Sequence, residues 1–222
     1  MIPTRRTTPL SYAFYDRDPR KVARALLGKL LIRKLPGKIL SGRIVETEAY
    51  LGEDDLAAHS AAGKTDRNSI LFGPPGYAYV YFIYGNYYCL NVSCLPDGVA
   101  GGALFRAMEP VAGINEMAKA RGIDLSVAGG AENVALLRRI SSGPGRMCEA
   151  LGVTRKRDNG KSFVNTRSDL RIVDDGYRVS HVVVTARIGI TKSADRPLRY
   201  VIRGNPFVSG ARSAHSAQGV ID

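Results

Sequence analysis

The sequence contains few of the residues that bind metals or form disulfides: three cysteines, three histidines and no tryptophan in 222 residues. Cys89, Cys94 and Cys148 are odd in number and have no Cys-x-x-Cys spacing, and the histidines are scattered. This pattern argues against a zinc motif or a disulfide framework. It favours reduced thiols, a cytoplasmic protein and a site without a metal.

Long apolar segments are also lacking. No run approaches the roughly 20 residues of a membrane-spanning helix, and the basic residues are spread along the chain. Residues 1–8 include Arg5 and Arg6 without an apolar segment after them, so we expect no secretion signal. Neither a Walker A loop nor a Rossmann fingerprint is present, which predicts that no nucleotide cofactor binds.

Positive charge is abundant: 32 Lys and Arg residues stand against 20 Asp and Glu, a formal net charge of +12. Such a balance favours a partner that carries phosphates. Against this background, residues 43–50 alternate like a strand and place Glu46, Glu48 and Tyr50 on one face. Carboxylates repel phosphates, so the acids indicate acid–base chemistry on an anionic partner. The alternative, which these eight residues alone favour, is a solvated strand face.

The order of predicted elements indicates one domain over residues 1–222, with residues 1–15 as a loosely ordered arm. Helices are predicted from Pro19 to about Gly28, at 53–60, at 111–121 and after the Ser-Gly-Pro-Gly segment 142–145. Strands are predicted at 30–35, through Glu48, on both sides of Gly85-Asn86, and at 103–108, 170–174, 181–189 and 198–203. This predicts an α+β fold with a mostly antiparallel curved sheet, surrounding helices and a protruding β-hairpin.

Six of the 11 tyrosines lie between Tyr77 and Tyr88. Tyr77, Tyr79 and Tyr81 alternate onto one face of a strand, and most such rings pack in a core or across strands. Tyr84 lies beside the hairpin turn, where burial within the fold is difficult. On a basic protein, an aromatic ring at a hairpin tip suggests a wedge that enters a base stack. A second ring that faces a pocket suggests a platform for an extruded base.

Six short motifs occur in order over nearly the whole chain, from about residue 20 to residue 209. They are Glu-Thr-Glu-Ala-Tyr50, Ala-Ala-His-Ser60, Tyr79-Val-Tyr81 with Ile83-Tyr-Gly85, Leu90-Asn-Val-Ser93, Arg106-Ala-Met-Glu-Pro110 and Ser142-Gly-Pro-Gly145. Together they resemble the alkyladenine (3-methyladenine) DNA glycosylase family, in a bacterial-type member. The resemblance implies a single α+β domain whose hairpin enters the minor groove. It also implies an enzyme that flips an alkylated or deaminated purine out of duplex DNA and hydrolyses its N-glycosidic bond, which starts base excision repair.

The resemblance implies a role for each matched residue. Glu48 is the general base that activates water for attack on C1′, and Arg106 holds that water or an adjacent phosphate. The base-binding residues are Tyr50, His59, Tyr81, Asn91 as a gate against the 2-amino group of guanine, and Ile188 as a backbone water ligand. The DNA contacts are Tyr84 as the wedge, and Thr65, Arg67 and Arg146 on phosphates. Taken singly, Arg106 could close a strand by a salt bridge, and His59 and Asn91 could be ordinary structural residues.

Glu46 is taken as structural, because an alkylated purine is already a cationic leaving group and one carboxylate can suffice. No matched motif supplies a lysine nucleophile, so we expect a monofunctional glycosylase without a cofactor. Asp66 and Asn86 depart from the family pattern near the DNA contacts. We expect a monomer in the cytoplasm, associated with the nucleoid, that acts on double-stranded DNA containing a damaged purine and does not bind membranes. The preferred lesion stays open among 3-methyladenine, 7-methylguanine, hypoxanthine and ethenoadenine.

Two other functions fit part of the sequence. A non-catalytic module that binds nucleic acid, such as tRNA, would use the same charge and aromatic rings but would not need Glu48. A hydrolase of free nucleosides would need neither a wedge nor the surplus of basic residues.

Overall fold

The computed structural model describes residues 8–83, 85–126 and 132–210, and it confirms the predicted α+β class. A curled antiparallel sheet carries helices packed against it. The helices are α1 (Tyr12–Tyr15), α2 (Pro19–Leu26), α3 (Ile114–Ala120), α4 (Val134–Ser141), α5 (Pro144–Ala150) and α6 (Arg155–Asp158). The strands are β1 (Leu30–Leu35), β2 (Lys38–Tyr50), β3 (Ala78–Ile83), β4 (Tyr87–Ser93), β5 (Gly102–Ala112), β6 (Leu170–Val173), β7 (Val182–Thr185) and β8 (Arg199–Ile202).

Strand β2 is the longest and lies at the centre of the sheet. The main order of the sheet is β3-β4-β5-β2-β1-β6, and β8 joins β2 to β7. The first half of β2 pairs with β1, and residues 46–48 pair with β8, while β5 follows the opposite edge. All pairings among the described strands are antiparallel. Glu46 and Glu48 are therefore in the middle of the sheet and flanked on both sides.

The pairing of β2 with β5 is irregular at Glu46. Register shifts lie on both sides of this residue, and neither Val45 nor Arg106 has a partner on the opposite strand. A β-bulge redirects the side chain it carries, and bulges are frequent beside active sites. Arg106 lies at this bulge, and its guanidinium forms ion pairs with both glutamates of β2.

Helix α2 covers the face of β2 that is opposite to the two glutamates. Its start is as predicted: Pro19 is the first residue, and the Asp18 carboxylate accepts the Arg20 amide hydrogen at 2.8 Å. Its buried residues include Val22 and Leu26. The Thr47 hydroxyl donates to the backbone carbonyl of Ala23 in α2 at 2.8 Å. Because neighbouring residues of a strand face opposite ways, Glu46 and Glu48 point away from this helix.

Several predicted elements need correction. The helix predicted at 53–60 is wrong: a 3₁₀ turn covers Gly52–Asp54, and turns follow it. The strand predicted at 181–189 ends at Thr185, and the helix predicted at 111–121 begins at Ile114 because β5 continues to Ala112. Helices α1, α4 and α6 were not predicted.

Part of the predicted N-terminal arm is packed on the body of the protein. Pro9 forms a β-bridge with Val173, and the Tyr15 side chain of α1 is fully buried. Residues 1–7 lie outside the described residues. In the described part of the chain, no helix has both the length and the apolar character needed to cross a membrane.

Candidate active site

A cavity of about 390 Å³ opens between the end of β2, the β3–β4 strands and the loop after β7. Its volume is within the range of small-molecule sites in proteins. The lining residues are Tyr50, Ala57, His59, Leu71, Tyr79, Tyr81, Ile83, Cys89, Asn91, Gly102, Leu104, Arg106, Pro144, Ile188, Gly189 and Ile190. They include every residue that the sequence assigned to base binding, together with Arg106.

Glu48 is fully buried directly behind the cavity wall. One carboxylate oxygen accepts the Ile188 amide hydrogen at 2.9 Å, and the other accepts the Tyr50 hydroxyl hydrogen at 2.9 Å. Arg106 Nη1 lies 3.2 Å from the first oxygen. All three partners line the cavity. An ionised carboxylate has about four acceptor positions, so these three donors do not saturate it.

Glu46 is also fully buried, within a denser network. Its Oε1 accepts from Arg106 Nε at 2.8 Å, from Arg199 Nε at 2.7 Å and from the Ser209 hydroxyl at 3.0 Å. Its Oε2 accepts the Ser209 amide hydrogen at 2.7 Å. Glu46 thus acts as a counter-ion for two buried arginines and fixes the orientation of Arg106. These contacts exclude the solvated strand face.

The two glutamates have pKa values moved in opposite directions. Burial raises the pKa of Glu48, and the opposing effects of Arg106 and of the Ile188 and Tyr50 donors do not cancel it. Burial would also raise the pKa of Glu46, but Arg106 and Arg199 outweigh it and lower the value. Burial and the neighbouring Glu48 raise the pKa of Tyr50, so its hydroxyl stays protonated and donates. Divergent carboxyl pKa values are typical of a pair with separate roles.

Three aromatic rings form one wall of the cavity. The centroids of the His59 and Tyr81 rings are 4.4 Å apart at an interplanar angle of 72°, and those of Tyr79 and Tyr81 are 5.5 Å apart. His59 Nδ1 shares a hydrogen bond with the Tyr79 hydroxyl at 2.9 Å. Burial, with a contribution from Arg67, lowers the pKa of His59. The imidazole is therefore neutral at neutral pH, and the wall adds no positive charge of its own.

The loop that carries Thr65 and Arg67 is tied to this wall by Asn68. The Asn68 side chain accepts the Thr65 amide hydrogen at 2.7 Å and donates to the carbonyls of His59 and Gly63 at 2.9 and 3.0 Å. Thr65 and Arg67 are exposed, as expected for phosphate contacts. Arg67 lies close enough to Tyr79 to lower the pKa of its hydroxyl, although burial still raises that pKa overall.

The third predicted phosphate contact, Arg146, is exposed on α5. This helix begins at Pro144, which lines the cavity. Gly145 allows α5 to approach the hairpin closely, because a Cβ atom there would lie 3.0 Å from Tyr87 side-chain atoms. Arg146 is thus two residues after a residue that lines the cavity.

Asn91 faces Tyr79 across the β3–β4 pair and is nearly buried. Its amide nitrogen donates to the Tyr79 carbonyl at 3.2 Å, which fixes the side chain where it lines the cavity. Tyr84, the predicted wedge, lies outside the described residues. For Ile188, the atom that contacts Glu48 is the amide nitrogen, and the predicted role of its carbonyl stays a prediction.

Several residues in and around the site were not assigned from the sequence, among them Tyr79, Cys89, Arg187, Arg199 and Ser209. Tyr79 could have been found, because it shares a strand face with Tyr81. Cys89 lies opposite Tyr81 in β4, and burial raises the pKa of its thiol to about 11. Arg187 and Arg199 could not be found from the sequence, because the carboxylates that they bind, those of Asp55 and Glu46, lie far from them along the chain. No group of three or more His, Cys, Asp or Glu side chains in the described ranges could hold a metal ion.

The family model described as methylpurine-DNA glycosylase matches residues 13–206. The chain belongs to the methylpurine-DNA glycosylase family. A protein of Koribacter versatilis is 65% identical over 204 residues, which cover 92% of this chain and 94% of the relative. A protein of Alkaliphilus oremlandii is 43% identical over 206 residues, covering 90% of this chain and 98% of the relative. Both carry the provisional name 3-methyladenine DNA glycosylase.

Membership of the methylpurine-DNA glycosylase family confirms the resemblance drawn from the six motifs. It makes the chain a hydrolase of N-glycosyl bonds with DNA as its substrate. Membership of this family does not favour the alternative function, a non-catalytic module that binds tRNA.

Proposed function

We propose that this protein is a monofunctional DNA glycosylase that flips alkylated or deaminated purines out of duplex DNA and releases them by attack of an activated water. The observation that carries the proposal is the buried Glu46–Glu48 pair behind an aromatic cavity. A surface that only bound nucleic acid would gain nothing from two buried carboxylates, because burying them is costly. Base excision repair would begin with this reaction.

The reaction needs a general base. Glu48 has a raised pKa and an acceptor position left after its three donors, and both properties favour taking a proton from water. Water then adds to C1′ as the bond from C1′ to the purine nitrogen breaks, and the bonding electrons leave with the base. A purine methylated at N3 or N7 carries a positive charge that these electrons neutralise, so a second carboxylic acid is not required for its release. Hypoxanthine and ethenoadenine are neutral and would leave as anions that take a proton from water. Glu46 serves instead to hold Arg106.

The flipped base would stack among Tyr50, His59 and Tyr81. A neutral His59 suits a cationic purine, because a protonated imidazole would repel it. Asn91 would act as the gate against guanine. Tyr84 would fill the space left in the duplex, and Thr65, Arg67 and Arg146 would contact phosphates. We further propose a monomer without a cofactor that works in the cytoplasm at the nucleoid.

The test is incubation with duplexes that each contain one lesion, followed by alkaline cleavage of the abasic sites. The four lesions are 3-methyladenine, 7-methylguanine, hypoxanthine and ethenoadenine. Release of at least one base by the parent, with loss of release in Glu48→Gln, supports the proposal. Binding to DNA without release of any of the four bases would overturn it.

A further inference from the structure

Arg187 and Asp55 form a buried ion pair behind the cavity, separate from the Glu46 network. The Asp55 side chain is fully buried and Arg187 is only 5% exposed. Two bonds join them, with Nη1 to Oδ2 at 2.5 Å and Nη2 to Oδ1 at 2.8 Å. A bidentate pair of this kind fixes orientation as well as distance. Arg187 does not line the cavity, so it is not placed to contact a base directly.

The pair links three segments that form cavity walls. Arg187 donates to the Ala49 carbonyl at the end of β2 at 3.0 Å and to the Ser193 carbonyl at 3.3 Å. The Asp55 carboxylate accepts the amide hydrogens of Leu51 and Ala57, each at 3.2 Å. Ala57 lines the cavity, as do the residues directly after Arg187. Relative movement of these walls would therefore require breaking this pair.

Arg187 influences both of the uncharged groups that donate to Glu48. The Arg187 guanidinium carbon lies 4.6 Å from the centroid of the Tyr50 ring, a cation–π contact, and the Tyr50 hydroxyl donates to Glu48. The residue after Arg187 is Ile188, whose amide donates to the other oxygen of Glu48. One guanidinium thus fixes both neighbours that donate to the carboxylate from outside β5.

We propose that Arg187 and Asp55 are a positioning pair that holds the Tyr50 hydroxyl and the Ile188 amide on Glu48, and so sets the orientation of the general base. The inference rests on the proposed function, since it assigns Glu48 that role. Loosening the pair would withdraw two donors from Glu48 and leave the carboxylate buried. Both donors favour the charged form, so their loss makes Glu48 harder to ionise.

The ionisation of Glu48 depends on groups from every element around it. These are Glu46 and Tyr50 on β2, Tyr81 on β3, Cys89 on β4, Arg106 on β5, and Arg187 with the Ile188 amide in the loop after β7. Arg187→Lys keeps a positive charge but cannot form the bidentate pair. Asp55→Asn keeps the shape and removes the charge of the partner. These two variants test the pair from either side.

The experiment measures single-turnover release of 7-methylguanine across a pH series. In Arg187→Lys and in Asp55→Asn, we expect a rate at neutral pH that is lower by up to about 100-fold, the effect of a small misplacement of reacting groups. The pH at which the rate falls on the acid side should also rise. The control is Arg33→Lys, which weakens the buried Arg33–Asp158 pair, a pair whose members do not line the cavity. Arg33→Lys should be less stable than the parent, but the pH dependence of its release rate should be unchanged.

A second measurement separates positioning from general loss of stability. In a Tyr50→Phe background the hydroxyl donor is already gone, so Arg187→Lys should reduce the rate by a smaller factor than in the parent. Equal factors in both backgrounds, or pH profiles like that of Arg33→Lys, would overturn the inference while the proposed function stands. If the parent releases no base, the proposed function fails and the inference fails with it.

Discussion

Glu46 and Glu48 lie two residues apart on one face of β2, and Arg106 contacts both, yet the pKa of one is lowered and that of the other is raised. The difference follows from the number of positive partners. Glu46 has two arginines and two bonds from Ser209, whereas Glu48 has one arginine and two uncharged donors. The first carboxylate is held as a counter-ion and the second is suited to accept a proton.

Replacing Glu48 with glutamine should abolish base release while lesion binding persists. Glutamine keeps the shape of the side chain but cannot take a proton from water, and loss of a general base usually lowers the rate by about 10²–10⁴-fold. Single-turnover excision and a binding assay on the same duplex measure the two properties. Glu46→Gln is the matched control and should lower the rate less. An excision rate in Glu48→Gln within about threefold of the parent would show that another group is the base.

Excision should fall at mildly acidic pH. The base must be ionised to act, and burial raises the pKa of Glu48 above its usual value. The rate should decline with a slope of about one as the pH drops through this raised pKa. A duplex with 7-methylguanine is the suitable substrate, since that base is cationic already and needs no proton from the enzyme. A decline that begins only at or below the usual glutamate pKa would contradict the assignment.

The two glutamates should also differ in their effect on stability. The lowered pKa of Glu46 means that its ionised form stabilises the fold above the unfolded pKa, and this stabilisation is lost as the pH falls through the folded value. For Glu48 the pH dependence is reversed. Its protonated form stabilises the fold below the unfolded pKa, and this stabilisation is lost as the pH rises through the raised pKa of the folded state. Glu46→Gln should therefore lower the free energy of unfolding at neutral pH by about 3–5 kcal/mol, because it leaves buried arginines without their carboxylate.

Glu48→Gln should lower the free energy of unfolding less than Glu46→Gln does. Urea unfolding at neutral and at acidic pH measures both variants against the parent. The difference in the free energy of unfolding between Glu46→Gln and the parent should be smaller at acidic pH, because the parent then loses the same interaction. Equal losses in the two variants at neutral pH would contradict the opposite pKa directions.

Replacing Asn91 with serine should admit undamaged guanine. The side chain is held in the cavity by its bond to the Tyr79 carbonyl, where it would meet the 2-amino group of guanine. Hypoxanthine lacks that group, so its excision should change little, while release of guanine from a G·T mismatch becomes measurable. Parallel assays on G·T and hypoxanthine·T duplexes decide the matter. If guanine stays inert while hypoxanthine is released normally, the gate lies at another residue.

DNA affinity should fall steeply with salt. Each phosphate contact releases counter-ions and contributes about −0.9 to the slope of log affinity against log salt concentration. Arg67→Ala and Arg146→Ala should each make this slope shallower by about one such contact. Thr65→Ala, on the same exposed loop as Arg67, should leave the slope nearly unchanged because it removes no charge. A slope near zero in the parent would favour a hydrolase of free nucleosides.

Local sequence signals predicted much of this molecule. Asp18-Pro19 marked the start of α2, and the alternation in residues 43–50 placed two acids on one face. The helix predicted at 53–60 failed because Asp55 accepts the amide hydrogens of Leu51 and Ala57 and pairs with Arg187, 132 residues away. Short-range patterns do not contain contacts of that separation, which is why both buried arginine networks became visible only in the folded chain.

The bonds from Ser209 to Glu46 join residues 163 positions apart. During synthesis, β2 leaves the ribosome long before Ser209 does. The counter-ion network around Glu46 is therefore completed only after Ser209 has emerged. A nascent chain that ends before Ser209 already contains both glutamates and Arg106 but lacks two of the four hydrogen bonds that the Glu46 carboxylate accepts.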